Sequence, residues 1–242
     1  MRLVKFTSFL FIIFLLASCG GSKRFDKTPV DNIIKDMPTD RIFSIILHDM
    51  DVEGSFFHTY RHQYKVIEET EAGKPEEQLT EWFEVSEGYF ERHANDMGME
   101  IASRGEDGKL QKGASPPGYN NYVGNPKYGR WENRGGTSFW AFYGQYAFMS
   151  SMFNMMAYPV RRSYWDDYRG GYYGTGRSYY GPTTSGRSYY GTNSDYNRSA
   201  RPNSSWSRNT SSFKNRVASR TSRSSSRYGG SSSRSRGGGF GK

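Results

Sequence analysis

The segment 41-RIFSIILHDMDVEGSFFHTYRHQYKVIEE-69 carries the clearest structural pattern in the chain. Its second half alternates two kinds of side chain: Phe56, His58, Tyr60, His62, Tyr64 and Val66 against Thr59, Arg61, Gln63 and Lys65. A period of two places successive side chains on opposite faces of a β-strand, so this strand has one aromatic face. Residues 41–52 predict the partner strand, with Gly54-Ser55 as a tight turn. The segment therefore predicts a β-hairpin.

The neighbouring sequence predicts a small α+β domain over residues 41–160, with β-hairpins and one or two helices. One helix is predicted from apolar side chains near the helical period, at Leu79, Trp82, Phe83, Phe90, Ala94 and Met97, and Gly98 suits its end. A second hairpin is predicted between residues 99–103 and 109–113, because Asp107-Gly108 is a strong turn signal. A body of this size can form one hydrophobic core.

Residues 115–136, SPPGYNNYVGNPKYGRWENRGG, contain too much Gly, Pro and Asn for regular structure. Aromatic side chains are interleaved through the same stretch, which is unusual for a plain linker. We therefore expect an ordered aromatic loop that packs on the body or contacts a ligand. The candidate ligand-binding residues here and just beyond are Tyr119, Tyr122, Tyr128, Trp131 and Trp140.

Residues 138–160 contain no charged side chain, which raises the possibility of a membrane span. Against a span stand the polar side chains of Gln145, Ser150, Ser151 and Asn154. A stripe at helical spacing, formed by Phe139, Phe142, Tyr143, Tyr146, Met149, Phe153 and Met156, is typical of a helix with one packed face. We predict a packed or interfacial helix over residues 138–158, with a membrane span as the alternative.

The first eighteen residues have the layout of a secretory signal peptide: Arg2 and Lys5, then an apolar run, then small residues. The apolar run is shorter than the roughly 20 residues of a membrane-spanning helix, which argues against an uncleaved anchor. The next residue, Cys19, is the only cysteine of the chain. The stretch 16-LASC-19 resembles the bacterial lipobox, in which the cysteine is acylated and becomes the new N-terminus.

This resemblance implies that Cys19 is a lipid attachment site and that acyl chains, each stabilised by about 0.8 kcal/mol per buried CH2, hold the chain to a membrane. Gly20 rather than Asp follows the cysteine, and residues 20–24 lack an acidic cluster. In lipoproteins of this type, both features favour the periplasmic face of the outer membrane. Residues 19–40 are then predicted to be a lipidated N-terminus and linker.

The charge of the chain changes sign near residue 160. Residues 19–160 contain 15 basic and 21 acidic side chains, whereas residues 161–242 contain 16 basic and only three acidic ones. The second part is rich in Arg, Ser, Gly and Tyr, repeats TGRSYYGP as SGRSYYGT, and has almost no Leu, Ile or Val. This composition predicts a basic, disordered, low-complexity tail.

Three partner hypotheses remain open for this tail. It could be a solvated segment without a dedicated partner, or it could contact anionic lipids or other envelope polyanions. Binding to nucleic acid is the less favoured alternative, because arginine neutralises phosphates and tyrosine stacks on bases. The candidate polyanion-binding residues are Arg177, Arg187, Arg220, Arg223, Arg227, Arg234 and Arg236.

Catalytic, cofactor and metal motifs are weak. His58 and His62 are four residues apart but lack the glutamate of a zinc protease motif, and Asp49, Asp51 and Glu53 match only half of a calcium loop. The chain has neither a phosphate-binding loop nor a G-x-S-x-G nucleophile motif. We therefore predict a protein without a metal site or cofactor that is not an enzyme.

The stretch 116-PPGYNNYVGNPKYGRW-131, continued by 136-GTSFWAFYGQYAFMSSMF-153, resembles an uncharacterised family of bacterial lipoproteins with a similar Gly/Tyr/Arg-rich end. The resemblance covers about residues 80–165, implies no activity, and points to the aromatic loop as the functional region. We expect a lipid-anchored envelope protein with a binding or structural role and an unknown protein partner. The alternative is an envelope hydrolase that acts on cell-wall material through carboxylates of the body.

Overall fold

The predicted first hairpin forms the centre of the main sheet. The computed structural model describes residues 28–54, 57–71 and 73–209, together with the isolated residues 215 and 219. Strand β1 (Phe43–Glu53) pairs antiparallel with β2 (Thr59–Glu71). Tyr60 and Tyr64 are buried while Arg61 and Lys65 are partly exposed, as the alternation predicts. Because Glu53 pairs with Thr59, five residues connect the strands and not a two-residue turn.

The main sheet has six antiparallel strands. Their order is β3 (Lys74–Leu79), β2, β1, β5 (Glu100–Arg104) and β6 (Leu110–Ser115), and β4 (Phe83–Val85) also pairs with β2. The second hairpin prediction is confirmed by β5 and β6, which pair antiparallel. Asp107-Gly108 lies in the connecting turn, where Gly108 has φ +70°. The mixed α+β fold class is therefore correct.

The helix predicted over residues 79–97 is mostly wrong. This region forms β3 (Lys74–Leu79), β4 (Phe83–Val85) and only a short helix α2 (Glu87–Arg92), capped by the Ser86 hydroxyl, which accepts from the Tyr89 amide. The physical reason lies in β2, whose thirteen residues present a long edge of unpaired backbone groups. Two short strands, β3 and β4, pair with successive parts of that edge.

The aromatic stretch also contains a hairpin that the sequence analysis missed. Residues 116–128 form successive turns, but β7 (Gly129–Arg134) pairs with β8 (Thr137–Phe142). Gly135 and Gly136 connect the two strands with φ +59° and +79°. Two consecutive positive φ angles are the requirement of a type I′ turn, so Gly-Gly was an available hairpin signal.

The single helix predicted over residues 138–158 is consequently wrong. After β8 the chain forms a 3-10 turn (Gly144–Tyr146) and a five-residue helix α3 (Phe148–Met152). Within the described part of the chain, no helix has the length and apolar character needed to cross a membrane. The apolar stripe arises because both a strand and a short helix pack onto the same aromatic core.

The folded region extends beyond residues 41–160 on both sides. The predicted linker contains helix α1 (Pro29–Asp36), which buries Val30. The predicted disordered tail forms α4 (Arg162–Gly171), a small hairpin of β9 (Thr183–Thr184) with β10 (Arg187–Ser188), α5 (Asp195–Ala200) and α6 (Ser205–Arg208). The tail prediction is therefore wrong for residues 161–208. Its remaining residues, apart from 209, 215 and 219, lie outside the described part, as do residues 1–27.

Two groups of buried side chains form the interior. The first lies on the main sheet and contains aliphatic and aromatic residues of β1, β2, α2 and β5, with Trp206 of α6. The second is dominated by tyrosines from residues 119–196. Tyrosine explains the folding of the tail: each ring buries about 150–250 Å², so a segment without Leu, Ile or Val can still contribute to a core.

Candidate functional site

A cleft of about 260 Å³ opens between the aromatic loop, the β5–β6 turn and helix α4. Its size is close to the lower limit of ordinary ligand pockets, about 300–1,000 Å³, so it suits a small group. The polar and aromatic side chains that line the cleft include those of Glu106, Asp107, Asn121, Tyr128, Trp165, Arg169 and Tyr173. The cleft is the candidate site because three chain segments converge there.

One wall of the cleft is a planar stack on helix α4 and the residues after it. The Arg169 guanidinium lies 3.7 Å from the ring centroid of Tyr173 and 5.6 Å from that of Trp165. Helical spacing places residues 165 and 169 on one face, one turn apart. Arg169 is exposed and forms no ion pair with any described residue. This part of the lining therefore combines aromatic rings with one guanidinium that has no ion-pair partner among the described residues.

Gly124 of the aromatic loop allows the Trp165 ring to approach the backbone. Gly124 has φ +78°, a conformation that glycine adopts readily. A Cβ atom at this position would lie only 2.3 Å from Cζ2 of Trp165. The indole N–H of Trp165 is buried and has no hydrogen-bond acceptor among the described residues. Position 124 thus sets the orientation of the aromatic wall.

A buried network of hydrogen bonds connects strand β5, the aromatic loop and helix α4. The Glu100 carboxylate on β5 accepts from the Gly118 amide at 3.1 Å and from Asn120 Nδ2 at 2.5 Å. The Asn120 side-chain oxygen in turn accepts from the Tyr168 hydroxyl of α4 at 2.5 Å. Burial raises the pKa of Glu100, although these hydrogen bonds act in the opposite direction. Sheet, loop and helix are therefore connected by one chain of hydrogen bonds.

The β5–β6 turn adds two carboxylates to the lining of the cleft, and each is paired with a lysine: Glu106 with Lys127, and Asp107 with Lys109 at 3.7 Å. Lys127 Nζ lies 3.2 Å from Glu106 and 3.3 Å from the buried Glu69. Burial alone would lower the pKa of Lys127, but its contacts with Tyr128, Glu106 and Glu69 outweigh burial and raise it. Lys127 therefore stays charged beside Glu106 and Glu69.

The side chain of Asn121, which lines the cleft, has an acceptor that is not used within the described structure. The Asn121 amide nitrogen donates to the carbonyls of Phe43 and Arg104, at 2.9 and 3.2 Å, which locks the side chain. Its side-chain oxygen makes no hydrogen bond to the part of the chain that the structure describes. A fixed acceptor thus lies in the same cleft as the carboxylates and the planar wall.

The five aromatic residues predicted to bind a ligand mostly lie beneath the cleft. Tyr119, Tyr122 and Tyr128 are fully buried, Trp140 is buried and Trp131 is half-buried. Of these five, only Tyr128 lines the cleft, and its hydroxyl donates to Glu69. The ligand-binding role of these residues stays a prediction, and the four that do not line the cleft belong to the aromatic core. Trp165, Arg169 and Tyr173 were missed because they lie in the segment assigned to the tail.

The two predicted tail arginines that the structure describes, Arg177 and Arg187, do not line the cleft. Arg177 is exposed, with its guanidinium 4.8 Å from the ring centroid of Tyr172, and Arg187 is exposed on β10. Arg220, Arg223, Arg227, Arg234 and Arg236 lie outside the described residues, as does Cys19. Their predicted contacts with polyanions and with lipid remain predictions.

The histidine and aspartate patterns have structural explanations. His62 is fully buried and shares a 3.1 Å hydrogen bond with the Tyr64 hydroxyl. Burial, with a smaller contribution from His93, lowers the pKa of His62 well below its usual value. Asp49 accepts from the amides of Ser205 at 2.7 Å and Trp206 at 3.3 Å, so it anchors α6. No group of three or more His, Cys, Asp or Glu side chains that could hold a metal occurs among the described residues.

A second constellation surrounds His93 in a separate cavity of about 380 Å³. His93 Nδ1 donates to Asp96 at 2.7 Å, and the Tyr180 hydroxyl donates to the other carboxylate oxygen at 2.6 Å. Arg92 and Lys112 line the same cavity. A carboxylate that fixes one imidazole nitrogen leaves the other nitrogen available as a base. Sequence reasoning missed this pair, although the spacing H-x-x-D was visible.

Comparison of the chain with protein-family models, with curated proteins and with solved structures gives no match. The site is therefore interpreted from its own geometry.

Proposed function

We propose that the protein is a lipid-anchored component of the bacterial envelope that binds a sugar residue of an envelope glycan in the cleft beside α4. The observation that carries this proposal is the pairing of a planar wall with fixed polar groups. Trp165, Arg169 and Tyr173 provide the flat surface, and Glu106, Asp107 and Asn121 provide acceptors in the same cleft. No residue of the cleft is assigned a catalytic role.

A sugar ring matches this arrangement because it presents two different surfaces. Its C–H groups pack against flat aromatic or guanidinium planes, and its hydroxyls donate to carboxylate and amide oxygens. The cleft volume of about 260 Å³ suits one sugar residue rather than a long chain. The ligand is then the end or a single unit of a glycan.

The anchor supports an envelope location in the same proposal. Acylation of Cys19 would hold the protein at a membrane, on the periplasmic face of the outer membrane if the organism has one. Arg177, Arg187 and the arginines at positions 220, 223, 227, 234 and 236 would add contacts with anionic lipids or other polyanions, mainly through charge. Detergent partitioning and the mass of the N-terminal peptide test the anchor. A wild-type peptide without acyl mass would refute it.

Two neighbouring tyrosines provide a matched test of glycan binding. Tyr173 lines the cleft, whereas Tyr172, half-buried like Tyr173, does not. We expect Tyr173→Ala to weaken binding to an array of bacterial saccharides by about tenfold, a loss of about 1.4 kcal/mol, because a stacking surface is removed. Tyr172→Ala should keep wild-type binding.

Arg169→Gln separates the contribution of the charge from that of the flat surface. Neutral saccharides should lose little affinity in this variant, and acidic saccharides should lose more, since the guanidinium that would pair with their carboxylate is removed. Isothermal titration calorimetry on the saccharides selected by the array measures both. Equal binding of the wild type, Tyr173→Ala and Tyr172→Ala proteins would refute the cleft as the glycan site.

The second candidate function, an envelope hydrolase, is favoured by one observation. His93 is held by Asp96 in a cavity lined also by Arg92 and by the ion pair of Lys112 with Asp31, an arrangement suited to general-base activation of water beside a cation. This differs from the carboxylate mechanism expected from the sequence. Release of soluble fragments from purified cell-wall material by the wild type, lost in His93→Gln, would favour the enzyme over the binder.

A further inference from the structure

Residues 143–157 have two groups of apolar side chains, one buried in the core and one exposed on the surface. Tyr146, Met149, Phe153 and Met155 are buried against the body. On the outside, Tyr143 is 38% exposed, Phe148 48% and Met156 79%. The remaining exposed residues of the segment are uncharged: Gly144, Gln145, Ala147, Ser151 and Ala157. Single exposed apolar side chains are normal, but three large ones within fourteen residues, with no charge among them, are typical of a contact surface.

The charges around this surface are distributed in a specific way. From Thr137 to Trp165, in a chain of which 24% is charged, the only charged side chains are Arg161 and Arg162. Both are exposed, and a backbone bridge between Phe139 and Arg161 places them beside strand β8. Arg162 lies 3.6 Å from Asp166, whereas Arg161 has no ion-pair partner among the described residues. An apolar surface with arginines and aromatic residues at its border matches the boundary between acyl chains and anionic headgroups.

The position of the predicted anchor limits how far the folded body can be from a bilayer. Eight residues separate Cys19 from Thr28, the first described residue, and the nine steps between their Cα atoms span at most about 32 Å when extended. If Cys19 is acylated, as in the proposed function, the body stays close to the membrane. A lipid surface is then the nearest extensive apolar partner.

We propose that residues 143–157 form a membrane-contact surface in which Phe148 and Met156 insert into the interfacial region of the bilayer. Arg161 and Arg162 face the anionic headgroups beside them. The inference rests on the anchor for its biological setting, but the contact is a property of the folded body and requires no acyl chain.

The test uses residues 20–242, which carry no lipid, with vesicles of phosphatidylglycerol and phosphatidylethanolamine. Cosedimentation is measured at low salt and in about 0.5 M salt, where charge attraction is screened to within a few ångströms. We expect part of the binding to survive high salt. Phe148→Ser with Met156→Ser should reduce that salt-resistant partition coefficient at least tenfold, because buried apolar surface is lost.

A matched control removes exposed apolar surface elsewhere. Leu79 and Leu110 are 50% and 41% exposed on strands of the main sheet, so Leu79→Ser with Leu110→Ser tests whether any exposed apolar pair has the same effect. This control should bind vesicles like the wild type. Circular dichroism and thermal unfolding of both double variants should match the wild type, because all four side chains are exposed.

Three results would overturn the proposal. The first is an absence of salt-resistant binding in the wild type, and the second is an equal loss in both double variants. The third is a concentration-dependent dimer, measured by analytical ultracentrifugation, that Phe148→Ser with Met156→Ser abolishes, since a second copy would then cover the surface. None of these results bears on saccharide binding or on the acyl mass at Cys19, so the proposed function is tested separately.

Discussion

The main sheet and the tyrosine-rich region (residues 119–196) bury their side chains in two different ways. In the main sheet, β1 and β2 bury alternating or continuous runs of side chains over long strands. In the tyrosine-rich region, secondary structure is short, and rings from distant positions contact one another, as in the pairs Tyr119–Tyr190 and Tyr158–Tyr196. A core can thus form without periodic aliphatic residues when enough aromatic surface converges.

The two regions also differ in how their polar groups are satisfied. The backbone of the main sheet is paired through its ladders. In the tyrosine-rich region, polar groups are satisfied by individual side chains. Examples are the Glu100–Asn120–Tyr168 network and the hydrogen bond between the Tyr119 and Tyr190 hydroxyls. Single substitutions should therefore have more local and more varied effects in the tyrosine-rich region.

The largest expected effect tests whether the predicted tail is part of the core. Tyr190 is buried, with ring centroids 5.0 Å from Tyr196 and 5.9 Å from Tyr119. We expect Tyr190→Ala to lower the free energy of unfolding by about 3–5 kcal/mol, the range for removal of a large aromatic side chain. Urea denaturation measures it, with the exposed Arg187→Gln as the control. A change within about 0.5 kcal/mol, as for a surface substitution, would show that this segment does not pack.

The next prediction compares the loss of stability on substitution of two glycines that have similar backbone angles. Gly124 has φ +78° and a position blocked by Trp165, whereas Gly108 has φ +70° and nothing within 4 Å. Gly108→Ala should cost about 1 kcal/mol from backbone strain alone. Gly124→Ala should cost about 3 kcal/mol, because overpacking adds to the strain. Thermal and urea unfolding measure both, and equal losses would mean that the Trp165 contact has no energetic consequence.

A third prediction concerns the pH dependence of stability, which depends on the half-buried His48 of β1. Burial, followed by the charges of Arg201 and Lys65, lowers the pKa of His48 to about 4. In the pH range between about 4 and 6.5 the unfolded chain therefore binds more protons than the folded one, and stability falls as pH falls through this range. The expected loss from His48 is about 2 kcal/mol, below the roughly 3 kcal/mol of a full shift because the side chain is partly exposed.

His48→Gln should flatten the dependence of the unfolding free energy on pH between 6.5 and 4. The exposed His58→Gln serves as the control and should keep the wild-type slope. Urea unfolding at several pH values provides the measurement. If the two variants have the same slope as the wild type, the pKa of His48 is not lowered in the folded protein.

The smallest effect compares helix caps in the two regions. Ser86 caps α2 on the main sheet through the Tyr89 amide at 3.2 Å. Ser194 caps α5, where its hydroxyl accepts from the Asn197 amide at 3.0 Å and donates to the Gly191 carbonyl at 2.6 Å while buried. We expect a loss of about 1 kcal/mol for Ser86→Ala and up to about 2 kcal/mol for Ser194→Ala. A larger loss at Ser86 would contradict the view that the tyrosine-rich region depends more on single side chains.

Elements whose information is local were predictable. The hairpin of β1 and β2 follows from alternation, and the hairpin of β5 and β6 from Asp107-Gly108. The hairpin of β7 and β8 was also marked locally, by Gly135-Gly136, but the apolar stripe of residues 139–156 suggested a helix instead. Helical and strand periods overlap over short aromatic runs, so the pattern alone did not distinguish them.

The cleft was only partly predictable. The sequence indicated the aromatic loop as its region, and Tyr128 does line it. The planar wall of Trp165, Arg169 and Tyr173 was assigned to a disordered segment because that segment lacks aliphatic residues. A composition rule measures what a segment can bury by itself, and not what it can bury against the rest of the chain.

The sequence by itself determined the antiparallel pairing of the central strands, since period-two alternation and turn residues act between neighbours along the chain. Only the tertiary structure decided that residues 161–208 fold. The reason is that their partners are distant: Tyr190 meets Tyr119 across 71 positions, and Ser205 meets Asp49 across 156. A ring or an amide that is satisfied at such separations leaves no periodic signal in its own segment, and its burial is set by the surface on which it packs.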